Sequence, residues 1–174
     1  MWKSLTISQI KRLYRCSGKL REKRFLPFAD AQNIVVLADA QGAQQVLPIL
    51  QSWVNAGKRV TLYYFTFALK QTGLLFPGID TEEISLQELC WGHNRPRAEV
   101  CKDFLALQPD AVIDLTLEAQ LPVSYFMALS TAPLHIGMKK EGLTPADVMM
   151  QPTETPFTAE TLLQNILHYW QCLR

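Results

Sequence analysis

No uninterrupted apolar run in this sequence approaches the roughly 18 residues that a membrane-spanning helix needs. It has only four cysteines, at positions 16, 90, 101 and 172, too few and too scattered for the disulfide framework of a small secreted domain. Charge is sparse at 19% of residues, but with 48% hydrophobic residues the composition excludes global disorder. The dinucleotide fingerprint G-x-G-x-x-G, the Walker A lysine motif and the G-x-S-x-G nucleophile elbow are all missing. No catalytic residue and no cofactor is therefore expected. The first residues, MWKSLTISQIKRLYRC, lack the apolar core of a signal peptide, and the expected location is cytoplasmic.

The chain has 174 residues. A domain of that size buries roughly 70% of the surface its unfolded form exposes, enough to hold a core without disulfide or metal staples. The net charge of +1 conceals a division. Residues 1–24 carry eight bases against Glu22 alone, a net +7, and the rest carries nine bases and fifteen acids, a net −6. This points to a basic appendage, residues 1–24, on a mildly acidic domain, residues 25–174.

The head also has helical periodicity. Trp2, Leu5, Ile7, Ile10, Leu13, Tyr14 and Leu20 fall on one broad side, with Lys11, Arg12, Arg15 and Lys19 opposite. We expect residues 4–16 to form a helix whose apolar side docks on the body. Its basic side would then be simply solvated, or meet an anionic membrane surface, here the inner membrane, or a protein partner. Nucleic acid is not the expected partner. Gly18 interrupts the pattern, and residues 23–32 read as a connector.

In the body, Asn33–Asp39 (NIVVLAD) and Arg59–Phe67 (RVTLYYFTF) read as buried strands around a helix from Gln41 to Asn55, in which Pro48 implies a kink or a later start. A short strand is expected near Glu83–Leu86, and an ordered loop over Cys90–Pro96. Pro96 should open a helix to Leu107. Ala111–Leu115 and Leu134–Met138 read as strands flanking a helix opened by Pro122, Val148–Met150 as an edge strand, and Thr158 as the N-cap of a last helix. This alternation predicts an α/β Rossmann-like three-layer sandwich, a mostly parallel sheet with helices on both faces, plus the basic N-terminal helix. The runs at 34–38, 60–65 and 111–115 should be its central parallel strands, in the order second, first, fourth.

The segments NIVVLAD, LCWGHNRPRAEV and PDAVIDLTLEAQLPVSYFMALSTAPLHIGM resemble a protein family common in Bacteroidetes that carries a domain of unknown function; the likeness spans about residues 1 to 172. Asp110–Met138 also resembles the N-terminal Rossmann-like half of heptosyltransferases, through an Asp-x-x-Ile-Asp-Leu strand end, a helix ending Leu-x-x-Ala-Pro and an Ile-Gly strand. The first resemblance implies a fold and no activity. The second implies, for any enzymatic role, a glycosyltransferase-like one. Those transferases hold their nucleotide sugar with a second such half, for which 174 residues leave no room.

Open α/β sheets bind ligands at the carboxyl ends of their strands, where the winding reverses. The residues this places at a crevice are Asp39, Gln41, Gly42, Asp114, Thr116, Glu118 and Lys139. Helix N-termini and lysine suit a phosphate, and carboxylates suit sugar hydroxyls, so a sugar phosphate or nucleotide sugar fits the mixture. Ordinary structural roles compete: Gly42 as turn chemistry, and the acids as helix caps. Cys90, His93 and Cys101 offer three zinc ligands but lack a second close pair, so no metal site is expected. Two readings remain, a non-catalytic interaction module acting through the basic head and a small-ligand domain with a crevice at the sheet edge.

Overall fold

The computed structural model describes residues 2–67, 76–90, 92, 94–140, 146–151 and 157–172. The chain runs α1 (Trp2–Leu20), β1 (Asn33–Asp39), α2 (Ala40–Asn55), β2 (Arg59–Phe65) and β3 (Asp80–Ile84). One turn of 3-10 helix (Leu86–Glu88) leads into a short antiparallel pair, β4 (Leu89–Cys90) and β5 (Arg95–Pro96). There follow α3 (Ala98–Ala106), β6 (Ala111–Asp114), α4 (Leu121–Leu129), β7 (Leu134–Met138), β8 (Val148–Met150) and α5 (Ala159–Cys172).

Six strands form one sheet in the order β3-β2-β1-β6-β7-β8, and every pairing in it is parallel. Counting only these strands, the order is 3-2-1-4-5-6, that of a doubly wound Rossmann-like sheet. The three strands expected at the centre are there: Ile34 on β1 lies beside Val60 on β2 and Ala111 on β6. The chain winds outward from β1 to β3, then returns to β1's other edge with β6 and winds the opposite way. The reversal therefore falls between β1 and β6.

Alternation along the strands builds two cores. Ile34, Val36 and Ala38 of β1 face α2 and α5, packing with Val46, Leu50, Trp53, Leu163 and Trp170. Val35 and Leu37 face the other way, toward Phe104 of α3 and Val123, Phe126 and Met127 of α4. A strand buried on both faces must be apolar at every position, which is why the five central residues of NIVVLAD are all buried.

Several local expectations shift. Helix α2 runs through Pro48 and begins at Ala40, so the proline neither delays its start nor ends it. The prolyl ring lacks an N–H and forfeits one helical hydrogen bond, and Pro48 sits on the helix's exposed side. Helix α3 starts at Ala98, because Pro96 is used in β5 opposite Leu89. β3 covers Asp80–Ile84, earlier than Glu83–Leu86, since Ser85 caps the following turn. Gly18 does not interrupt α1, which continues to Leu20.

Helix α1 lies on α4, outside the layer that covers the sheet. Ile10 is fully buried against Tyr125 and Ala128, with Leu13, Cys101, Leu121 and Leu129 packed around them. The docked seam is narrower than the apolar side drawn from the sequence. It contains Thr6, Ile10 and Leu13, whereas Leu5 is 44% and Tyr14 36% exposed.

Candidate functional site

The carboxyl edge of the sheet carries a closed polar network. Asp114 ends β6 and its carboxylate is buried. Its Oδ1 accepts from the Thr116 backbone N–H at 2.9 Å and from Thr116 Oγ1 at 2.6 Å. Lys140 Nζ, just beyond β7, donates to Asp114 Oδ2 at 2.6 Å and to Thr116 Oγ1 at 2.6 Å. The Lys140 and Asp114 side chains are only 5% and 8% exposed. Gly137 stands opposite Asp114 in the ladder, and a Cβ there would lie 3.4 Å from the Asp114 Cβ. Both oxygens of this carboxylate already accept short hydrogen bonds from its own chain.

Asp39, the last residue of β1, is the N-cap of α2, and its Oδ1 accepts from the Gly42 N–H at 2.6 Å. A side-chain carboxylate thus occupies a donor that a phosphate at this helix start would use. Gly42 is buried for packing: an added Cβ would meet the Ala159 Cβ of α5 at 2.9 Å. Gln41 faces solvent.

Of the seven nominated residues, the structure joins Asp114 with Thr116, and Asp39 with Gly42. Gln41, Glu118 and Lys139 are exposed on the rim. The lysine that reaches the carboxylate is Lys140, one position along from the nominated Lys139. The Lys139-Lys140 pair was visible in the sequence, but which of two adjacent lysines turns inward depends on where β7 ends. Thr66, at the end of β2, donates to Glu83 Oε1 at 3.2 Å. His93 lies outside the described residues. Among the described residues, no three His, Cys, Asp or Glu side chains are grouped to hold a metal.

A second network sits at the opposite edge of the sheet and was not nominated. Arg21, its side chain 2% exposed, grips both carboxylate oxygens of Asp147 with Nη2 at 2.5 Å. The His135 N–H donates to the same carboxylate at 3.0 Å, and Lys23 Nζ lies 3.2 Å from it. Burial alone would raise the Asp147 carboxyl, but the His135 N–H and the Arg21 guanidinium outweigh it and hold the group below the usual carboxylate range. This pair ties the end of the basic head to β7 and β8. A recess of about 190 Å³ beside it is bounded by Lys23, Arg24, Phe25, Pro133, Leu134, Asp147 and Val148.

The basic helix presents a different surface. Residues 2–20 contain no acid. Lys3, Lys11, Arg12 and Arg15 are exposed, and no ion pair among the described residues engages them. Lys19 lies in the same helix; its side chain is outside the described residues. The apolar seam turns inward onto α4, so the outward side is a cationic ridge, flanked by Leu5 and Tyr14. No helix among the described residues is long and apolar enough to cross a membrane.

The fold so defined is a doubly wound α/β sandwich with a cationic outer helix. The chain matches no protein-family model, and a search of curated proteins gives no match.

Proposed function

We propose that the protein is a non-catalytic α/β interaction module whose contact is the outer side of α1, and that its partner is an anionic surface, with the lipid surface of the inner membrane seen from the cytoplasm as the leading case. The observation that carries this reading is the division of labour on α1. Ile10 and Leu13 are taken up by α4, while Lys11, Arg12 and Arg15 stand exposed and no ion pair among the described residues engages them. A helix docked this way cannot bury its apolar seam in lipid, so attraction would be mainly electrostatic and strongly screened by salt.

The test is co-flotation with vesicles containing phosphatidylglycerol, against pure phosphatidylcholine, at low and high salt. Each basic residue near an anionic surface contributes about 1 kcal/mol, so reversing Lys11, Arg12 and Arg15 to Glu should weaken binding by at least about 100-fold. Equal binding to both vesicle types, or none at low salt, rejects the lipid surface. Salt-sensitive capture of an acidic protein instead would support the module with a protein partner.

The second reading is a small-ligand domain for a sugar phosphate or nucleotide sugar, with a glycosyltransferase-like activity as its enzymatic form. It is favoured by Asp39 and Asp114 ending the two strands between which the winding reverses, and by the resemblance of Asp110–Met138 to heptosyltransferases. A ligand there would have to displace Lys140 from Asp114 or bind on the rim at Gln41, Glu118 and Lys139. Titration with sugar phosphates and nucleotide sugars, followed by backbone NMR, should then shift the Thr116 and Lys140 amides.

A further inference from the structure

Two of the four cysteines converge. Cys90 ends β4 and Cys101 lies on the first turns of α3, yet both thiols turn to one acceptor, the carbonyl oxygen of Pro96, at 3.9 Å and 3.8 Å. Both are half-buried, whereas Cys16, within α1, and Cys172, the last residue of α5, are exposed. Arg95 pairs with Cys90 in the short ladder, and Cys101 N–H donates to Arg97 O at 3.0 Å. Thiols that share one acceptor oxygen are close neighbours, and a disulfide between them requires both to turn from that oxygen toward each other.

We propose that Cys90 and Cys101 are a reversible redox pair that closes to an intramolecular disulfide when a peroxide reaches the fold. Burial pushes the Cys101 thiol up to about 11, with the Arg95 guanidinium offsetting part of the effect and Cys90 adding to it. Cys101 therefore stays protonated at neutral pH, and Cys90 is oxidised first. The Cys90 thiolate attacks the peroxide and becomes a sulfenic acid, and the released hydroxide takes up a proton to leave as water. Cys101 Sγ then attacks the sulfenic sulfur, and its proton departs with the sulfenic hydroxyl as a second water. Two thiols and one hydrogen peroxide give one disulfide and two waters. A dithiol such as thioredoxin, or two molecules of the monothiol glutathione, reverses the step by thiol–disulfide exchange and leaves oxidised as the disulfide is reduced.

Cys101 also belongs to the group packed around Ile10 of α1. Closing the disulfide draws its sulfur toward β4, away from that seam, so oxidation acts on the floor beneath the cationic helix. The pairing chemistry stands independently of what that helix binds.

The test treats the folded full-length chain with hydrogen peroxide, alkylates remaining thiols and digests with trypsin without reduction. Cleavage after Arg97 and Lys102 puts the two cysteines in separate peptides, so only a disulfide joins them. The expected result is a linked Cys90–Cys101 species that dithiothreitol removes. It should persist in Cys16→Ser/Cys172→Ser and be absent from Cys90→Ser and from Cys101→Ser. The same treatment in urea should scramble the pairing, showing that the fold selects it. Two results would overturn the proposal: Cys90 and Cys101 both remaining open to alkylation while Cys16 and Cys172 oxidise, or Cys90 advancing to sulfinic acid without pairing.

Discussion

Lys140 Nζ lies 2.6 Å from Asp114 Oδ2, and both side chains are almost wholly excluded from solvent. Removing one partner of a buried ion pair leaves the other uncompensated and costs about 3–5 kcal/mol. Lys140→Met should lose that much in urea denaturation. Adding Asp114→Asn should recover a large part, because the amide oxygen still accepts from Thr116 and no lone charge remains. If Lys140→Met is neutral, the pair does not organise this edge.

Gly42 is a packing residue on this structure. Gly42→Ala places a methyl against Ala159, which has no torsion with which to withdraw. Overpacking of this kind costs roughly 1–3 kcal/mol, partly offset by the better helix propensity of alanine. Thermal melts should show a lower Tm for Gly42→Ala and a return toward the parent when Ala159→Gly is added. Failure of the second change to rescue the first would remove the close approach of α2 and α5 as the cause.

The docking of the head is tested by one contrast. Ile10→Ala empties a fully buried site and should cost about 2–5 kcal/mol. Leu5→Ala, on the same helix but 44% exposed, should stay within about 0.5 kcal/mol. Equal and small effects would mean that α1 contributes little to the stability of the body.

Acid stability should depend on Asp147. Its carboxyl is held below the ordinary value of 3.8 in the folded protein. A depressed folded value stabilises the native state above the unfolded value, and that contribution is lost as pH falls through the folded one. Melting temperatures measured downward from pH 5 should therefore drop as pH falls below about 4. Asp147→Asn should be less stable at neutral pH and show a shallower decline. An unchanged profile in that variant would assign the acid sensitivity to other carboxylates.

The central strands were legible because burial on both faces imposes continuous apolar runs, and Ile34–Ala38 and Val112–Ile113 have no polar interruption. The reversal point followed from their order, and so did the approach of Asp39 and Asp114 to it. What each acid does there was not legible. Capping of α2 by Asp39 is a local contact, but the Asp114 network needs Lys140, and Gly42 needs Ala159. Both partners are set by tertiary packing across long stretches of chain. The Arg21–Asp147 pair was hidden for the same reason: an arginine among the eight bases of residues 1–24 gives no sign that it is buried. The width of the α1 seam was overdrawn because a helical wheel shows which residues share a side, not how far the neighbouring helix reaches across it.

The placement of β6 against β1 has a cost during synthesis. Asn33, at the start of β1, donates its N–H to the Asp110 carboxylate, 77 residues later, and the β6 ladder begins one residue beyond. At roughly 5–20 residues per second, a ribosome needs on the order of 4–15 s to make that intervening stretch. Until then, β1 can pair on one side with β2, while Val35 and Leu37 lack the helices that later cover them. The nascent chain thus holds an open, apolar strand edge for seconds, which makes this interval the natural point for chaperone engagement or for misassembly with a neighbouring chain.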